Sequence, residues 1–257
     1  MKLKAADVQA FQREGYLKVP YQVIEEEYLQ RLRRSYDTVF NDYEVGEGLR
    51  NLSKTESKTE EAAETNDGEM WQVMGMWKRN EDFRQLVYHK PLLDIAESLI
   101  GGNIQLFQDQ ALYKPANIGG PIPWHQDNNY WHCQPADLVS IWIALDDTDE
   151  ENGCMNVIPG SHVSGTLEHS RAKAGDGNTS AILMTSQVDD SKAVPISLSM
   201  GYAMVHHCLT FHTTQPNYSR RDRRAMVIHY MPVGTRNGEG ELLNNNDYPL
   251  LRGKTDS

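Results

Sequence analysis

Five short apolar stretches in the second half of the chain, at 104–113, 139–145, 155–158, 202–205 and 225–230, are separated by segments rich in Gly, Pro, Asn and Asp. Each has the length of a strand, and the turn formers between them force the chain to reverse. That rhythm predicts antiparallel strands in a sandwich or barrel. The first 100 residues have a different texture and read mostly helical. Ile24, Tyr28, Leu32, Tyr36 and Val39 recur three and four apart, which predicts an amphipathic helix over about 22–40. A second helix is predicted from Pro91, a good first-turn residue, to Gly101-Gly102, with Leu92, Ile95, Ala96 and Leu99 on one face.

Between these helices, residues 51–68 contain a single large apolar side chain, Leu52. Such a segment cannot bury itself and is expected to be a mobile surface loop. A second polar stretch, 164–193, reads as a long insertion. The expected architecture is mainly β with flanking α-helices, in one domain over 1–257. Its helical part covers about 1–102 and its β-barrel core about 103–232. The helices are expected on the outside of the barrel, because a helical layer of that size has little core of its own.

Composition supports an ordered enzyme and excludes several partners. With 39% hydrophobic residues the chain can build a packed core. Its 25 basic and 36 acidic residues leave a net charge of −11, which argues against a nucleic-acid or anionic-membrane surface. Cys133, Cys154 and Cys208 are widely spaced with no CxxC, so neither a disulfide framework nor a cysteine-rich zinc module is expected, and a cytoplasmic location fits. The N-terminus turns polar too soon for a secretory signal, and the longest nearly apolar run, 138–145, is too short to span a bilayer. A small-molecule substrate is expected; the oligomeric state is open.

The chemistry concentrates in Trp124-His125-Gln126-Asp127. On a strand, residues two apart face the same side, so the His125 imidazole and the Asp127 carboxylate are expected to converge. Alone, a His-x-Asp pair is more often a hydrogen-bonded strand pair. A later apolar strand and turn, GYAMVHHCLTFH over 201–212, supplies His206, His207 and His212 as competitors for a third ligand. Two neutral imidazoles and one carboxylate on one face of an octahedral ion form the facial triad of non-haem Fe(II) oxygenases. Arg223 follows His212 by 11 residues, and the turn formers between them predict a hairpin that returns Arg223 alongside the His212 strand. A guanidinium there suits the far carboxylate of a dicarboxylic 2-oxo acid, with Thr214 adding a hydroxyl.

The chain resembles the phytanoyl-CoA dioxygenase family of Fe(II)- and 2-oxoglutarate-dependent oxygenases. The resemblance rests on FQREGYLKVP (11–20), LYKP (112–115), WHQDNNYW (124–131), PADLVSIWIALDDTDEENGCMNVIPGSH (135–162) and the stretch from His207 through Ala225. It implies a double-stranded β-helix, or jelly roll, a cupin-like barrel flanked by helices. It also implies that His125, Asp127 and His212 are the iron ligands and that Arg223 binds the distal carboxylate of 2-oxoglutarate. Thr214 stands where the family often has a serine, and Trp142 and Gln110 fall near positions lining the co-substrate pocket. Gln72 replaces a lysine that some members use for 2-oxoglutarate. The family spacing to Asn217 and Arg223 selects His212 over His206 and His207.

The implied cofactors are Fe(II), 2-oxoglutarate as co-substrate, and O2. The implied reaction is hydroxylation of an aliphatic C–H of a small-molecule metabolite, with release of succinate and CO2. Desaturation, cyclisation or epoxidation would use the same residues, whereas a halogenase vacates the position that Asp127 fills. Two rivals remain. A cupin-like isomerase or hydrolase with another divalent metal would not need Arg223 or Thr214. A non-catalytic binding protein on this fold would be expected to lose a ligand. His132, His162, Arg221 and Arg224 read as structural or surface groups, and the acidic run Asp146, Asp147, Asp149, Glu150 and Glu151 as a solvated loop. Trp124, Tyr130 and Trp131 suit a pocket floor as well as a core; Trp71 and Trp77 read as core anchors rather than lid residues.

Overall fold

A computed structural model describes residues 2–42, 48–52, 68–173 and 179–254. The helices are α1 (Ala5–Glu14), α2 (Glu26–Asp42), α3 (Met76–Arg79), α4 (Glu81–Val87), α5 (Lys90–Ile100) and α6 (Asn128–Trp131). The strands β1 (Tyr16–Lys18), β2 (Leu49–Asn51), β3 (Trp71–Met74), β4 (Ile104–Lys114), β5 (Ile122–His125), β6 (Val139–Ala144) and β7 (Met155–Val157) come first. They are followed by β8 (Ser170–Lys173), β9 (Thr179–Met184), β10 (Val194–Ile196), β11 (Ala203–His207), β12 (His212–Thr214), β13 (Arg223–Pro232) and β14 (Leu250–Arg252).

Two antiparallel sheets make the jelly roll. The larger runs β1-β11-β6-β13-β4-β3-β2, with β14 added beside β4, and the smaller runs β10-β7-β12-β5. Trp142, Ala144, Met204, Ala225 and Val227 of the large sheet pack against Met155, Val157 and Ile196 of the small one. The other face of the large sheet, through Val139, Ile141, Ile143, Met226 and Ile228, carries Leu32 and Tyr36 of α2, Phe83 of α4 and Leu92 and Ile95 of α5. Every residue of β6 is buried, because helices cover one face and the second sheet covers the other. That double burial is why 139–145 reads as a continuous apolar run rather than an alternation.

The helix predicted from Pro91 is α5, with proline in its first turn and Gly101 at its C-cap. The helix predicted over 22–40 starts later, at Glu26. Val23 and Ile24 are buried in a bend whose N–H groups both bond to the Gly201 carbonyl, at 2.9 and 3.1 Å. The N-terminal 102 residues are also less helical than expected, since β1, β2 and β3 belong to them and build both ends of the large sheet. A central barrel strand needs partners on both sides, and these short strands supply them. The polar stretch 164–193 contains the β8–β9 hairpin. Of the expected loop over 51–68, residues 53–67 lie outside the described residues. No helix among the described residues is long and apolar enough to cross a membrane.

Candidate metal and co-substrate site

His125 and His212 are cross-strand partners on β5 and β12, with ring centroids 4.1 Å apart. Each ring is oriented by its own chain: His125 Nδ1 lies 2.9 Å from the Pro123 carbonyl and His212 Nδ1 3.0 Å from the Thr210 carbonyl. A neutral imidazole that donates Nδ1–H to a carbonyl presents the Nε2 lone pair, as a metal ligand must. Burial lowers both pKa values, that of His212 well below the ordinary imidazole value, so both rings are held neutral.

Asp127 does not reach this point by strand alternation. It lies beyond the end of β5, in right-handed helical conformation at the N-cap of α6, and the turn into that helix swings its carboxylate round. Oδ1 then stands 3.8 Å from His125 Nε2 and 3.6 Å from His212 Nε2. One ligand atom from each of the three residues lies within 4.8 Å of the others, the span over which a single ion can be held. Two imidazole nitrogens and a carboxylate oxygen converging from one side suit a non-haem Fe(II) ion with open positions.

The second carboxylate oxygen is committed elsewhere. Asp127 Oδ2 accepts from Ser140 Oγ at 2.9 Å and from His206 Nε2 at 3.1 Å. Ser140 also lies 2.8 Å from His229 Nδ1. His206, Ser140 and His229 are register neighbours on β11, β6 and β13, so they form one polar row across the inner face of the large sheet. Burial works against the charged carboxylate, but the surrounding imidazoles, His212 first and then the His206 hydrogen bond, hold its pKa well below the ordinary value. Asp127 is therefore an anion whose Oδ2 is saturated and whose Oδ1 is left for a cation.

Arg223 is not on a hairpin beside His212. After β12 the chain crosses to the other sheet, where β13 pairs with β4 and β6, and Arg223 lines the same cavity from the opposite wall. The register of the large sheet, not the local turn, decides its place. Burial lowers its pKa to about 10, so it stays charged at neutral pH. Its Nε and Nη1, together with Thr214 Oγ1 and Trp142 Nε1, are buried without a hydrogen-bond partner among the described residues. The guanidinium carbon lies 5.5 Å from the Trp142 ring centroid, within cation–π range. Four unpaired buried polar atoms lining one cavity are costly unless a ligand satisfies them, and a carboxylate matches the cation and the donors.

Gln110 lines the cavity too, but its amide is engaged by neighbours: Nε2 lies 3.0 Å from His229 Nε2, and Oε1 accepts from Gln72. Gln72 in turn accepts from Arg50 Nε. His207 stays outside the cavity, its pKa lowered to about 4 by burial. His162 bonds the Gln12 carbonyl at 3.1 Å, and neither it nor His132 lines the cavity. Tyr130 and Trp131 line the cavity, whereas Trp124 instead donates to Asp190. Trp71 and Trp77 pack partly buried against the main core. The acidic run is only partly solvated: Asp146 pairs with Arg224 at 2.8 Å and Arg33 at 3.0 Å, and Asp149 with Arg221 at 2.6 Å.

Sequence reasoning passed over Ser140, His229 and Arg50, and treated His206 only as a rival ligand. A signal existed. Ser140 and His229 each interrupt an otherwise apolar strand, and a polar residue in such a place needs a partner.

The phytanoyl-CoA dioxygenase family profile matches residues 11–225, most of the chain. The chain belongs to the phytanoyl-CoA dioxygenase family. Membership makes it an oxidoreductase that uses iron and 2-oxoglutarate. Among its relatives, a probable alpha-ketoglutarate-dependent hypophosphite dioxygenase of Stutzerimonas stutzeri is 30% identical over 147 residues, 56% of this chain and 51% of that protein. The chain thus matches about half the length of that relative. A phytanoyl-CoA dioxygenase domain-containing protein 1 homolog of Caenorhabditis elegans is 24% identical over 255 residues, 86% of this chain and 88% of that one. Among solved structures, the non-haem alpha-ketoglutarate-dependent carbocyclase SnoK of nogalamycin biosynthesis superposes with a TM-score of 0.78 at 23% identity, covering 96% of both chains. This likeness shows the jelly-roll fold that the phytanoyl-CoA dioxygenase motifs imply.

Proposed function

We propose that this phytanoyl-CoA dioxygenase family member hydroxylates an aliphatic C–H of a small-molecule metabolite. His125, Asp127 and His212 hold the iron, and Arg223, Thr214 and Trp142 hold the distal carboxylate of 2-oxoglutarate. The observation that carries this reading is the coexistence, in one cavity, of the converging triad and the unpaired Arg223 and Thr214 atoms. A cupin-like isomerase or hydrolase would have no use for a buried cation beside its metal.

His125, Asp127 and His212 would hold iron, which would supply the oxidising chemistry that couples decarboxylation of 2-oxoglutarate by O2 to hydroxylation of the substrate. The protein's residues do the positioning. Ser140 and His206 occupy Asp127 Oδ2 and keep the carboxylate a one-oxygen ligand. Arg223 would bind the distal carboxylate and so fix the orientation of the co-substrate in the cavity. Met70, Leu112, Ile122, Met155 and Val227 give the cavity apolar walls that keep water from the reacting centre. Asp127 fills the third ligand position, which favours hydroxylation over halogenation.

The cavity measures about 310 Å³, near the lower end for ligand pockets, which suits 2-oxoglutarate with a small second substrate better than an acyl-CoA. The Stutzerimonas relative is likewise named for a small substrate, hypophosphite. Anaerobic addition of Fe(II) and 2-oxoglutarate to the purified protein, followed by visible absorption, tests the reading. The expected result is a charge-transfer band that disappears in Asp127→Ala. No band, or a band unchanged in that variant, overturns it.

A further inference from the structure

The cavity contains a second cation that the co-substrate does not use. Arg50, on β2, lines the cavity with Arg223, and no carboxylate among the described residues pairs with it. Its charge acts on the Tyr130 hydroxyl, which also lines the cavity. Its Nε is held in place. Arg50 Nε donates to Gln72, Gln72 Nε2 to Gln110, and Gln110 Nε2 to His229 Nε2. His229 Nδ1 then donates to Ser140 Oγ, and Ser140 to Asp127 Oδ2.

The direction of this chain is forced. Arginine has no acceptor and an ionised carboxylate has no donor, so every hydrogen bond points from Arg50 towards Asp127. The guanidinium is thereby held at Nε, while Nη1 and Nη2 make no hydrogen bond to the described residues. That is the preorganised fork that a carboxylate matches with two parallel hydrogen bonds.

Charge balance identifies what the fork takes. Two imidazoles and one carboxylate on a divalent ion leave one positive charge, to which the cavity lining adds Arg223 and Arg50. The 2-oxoglutarate dianion cancels two of these three, and the one left over is that of Arg50. Arg50 is exposed at the edge of the cavity, so a monoanion entering there gains a charge-assisted partner rather than relieving a buried charge.

We propose that the substrate to be oxidised is a small monocarboxylate whose carboxylate is bound by the Arg50 guanidinium, an inference that rests on the 2-oxoglutarate oxygenase reading. Arg50 then sets specificity: it fixes one end of the substrate and leaves an aliphatic carbon to face the metal.

The test uses the full chain with Fe(II), 2-oxoglutarate and O2. A broad panel of metabolite-sized monocarboxylates without an amino group, hexanoate and cyclohexanecarboxylate among them, is assayed beside the primary amide of each member for stimulation of succinate release. The expected result is that carboxylates stimulate and their amides do not. Arg50→Gln is expected to raise the KM of the stimulating carboxylate roughly 10- to 100-fold, with partial recovery in Arg50→Lys. Removing a charge from the exposed β1 residue in Lys18→Gln leaves that KM unchanged. Should the amides match their acids, should no acid stimulate, or should Arg50→Gln retain the wild-type KM, the proposal is overturned. The amide comparison needs no variant, so poor folding of a substituted chain does not rescue it. The anaerobic absorption band separates the two levels: without it the oxygenase reading fails, and with it only the carboxylate proposal is at stake.

Discussion

Ser140 Oγ sits 2.9 Å from Asp127 Oδ2, across from a different strand and 13 residues later in the chain. The serine is fully buried in the centre of β6 and donates the hydrogen bond that turns Oδ1 towards the two histidines. Outer partners of this kind tune a metal site nearly as strongly as the ligands do.

Ser140→Ala is therefore expected to weaken metal binding about 10- to 100-fold while the protein stays folded. Titration with Fe(II) or Mn(II) under anaerobic conditions measures this directly, with a thermal melt as the control for folding. Unchanged affinity would show that His206 alone suffices to orient the carboxylate.

Arg223→Ala removes the cation whose Nε and Nη1 have no hydrogen-bond partner among the described residues. Losing one side of a buried charge pair costs several kcal/mol, so the KM for 2-oxoglutarate should rise about 100-fold or more. Metal affinity should change little, because Arg223 stands on the opposite sheet from His125 and His212. A parallel loss of both in titrations of the variant would place the arginine at the metal instead. Thr214→Val should give the milder version, a KM rise of severalfold.

Gly153 adopts φ +76°, and a Cβ added there would meet the Gln215 carbonyl oxygen at 2.3 Å. Lys114 Nζ donates to that same carbonyl, which follows Thr214 directly in the chain. Gly153→Ala is expected to destabilise the fold by about 2 kcal/mol or more, combining left-handed backbone strain with a clash against main chain. Because Thr214 adjoins the displaced residue, the 2-oxoglutarate KM should rise as well. Denaturant melts and initial rates together test the pairing of these two effects.

Asp109 is fully buried on β4, with Oδ2 accepting from the Trp77 N–H at 2.9 Å. Burial raises its pKa to about 7, from 3.8 for the free side chain. The folded state holds the proton more tightly than the unfolded chain, so the stabilisation is complete below about pH 4 and is lost as pH rises through about 7. Asp109→Asn keeps an acceptor for Trp77 but cannot ionise. It is expected to flatten stability across that window and to exceed the wild type at pH 8 by on the order of 2–4 kcal/mol. Chemical denaturation at several pH values checks the sign: a wild type that gains stability from pH 4 to 8 would contradict it.

Much of the site was legible as residue chemistry. His125, Asp127 and His212 stand out by type and spacing, and the structure brings all three together. The reason assigned to their convergence was wrong in part, since Asp127 is carried by the entrance to α6 rather than by β5. Arg223 was read as a pocket cation by type and by resemblance, yet its route into the cavity was misjudged. A hairpin inference uses only the residues between two strands, and nothing in TTQPNYSRRD reveals that the next strand belongs to the other sheet.

By itself the sequence determined what is local: the proline start and glycine stop of α5, the strand-length apolar runs, and the residue types His125, Asp127, His212, Thr214 and Arg223 that the proposed site draws on. Tertiary structure decided what depends on partners remote along the chain. His206, Ser140 and His229 become one row only because β11, β6 and β13 lie side by side, and the chain from Arg50 to Asp127 closes only when β2, β3, β4, β13 and β6 are in register. The physical reason is that a strand's local pattern states which of its faces is buried, whereas the identity of its neighbour comes from packing the whole barrel. Chemistry was written in single residues; its orientation was set by the pairing of strands.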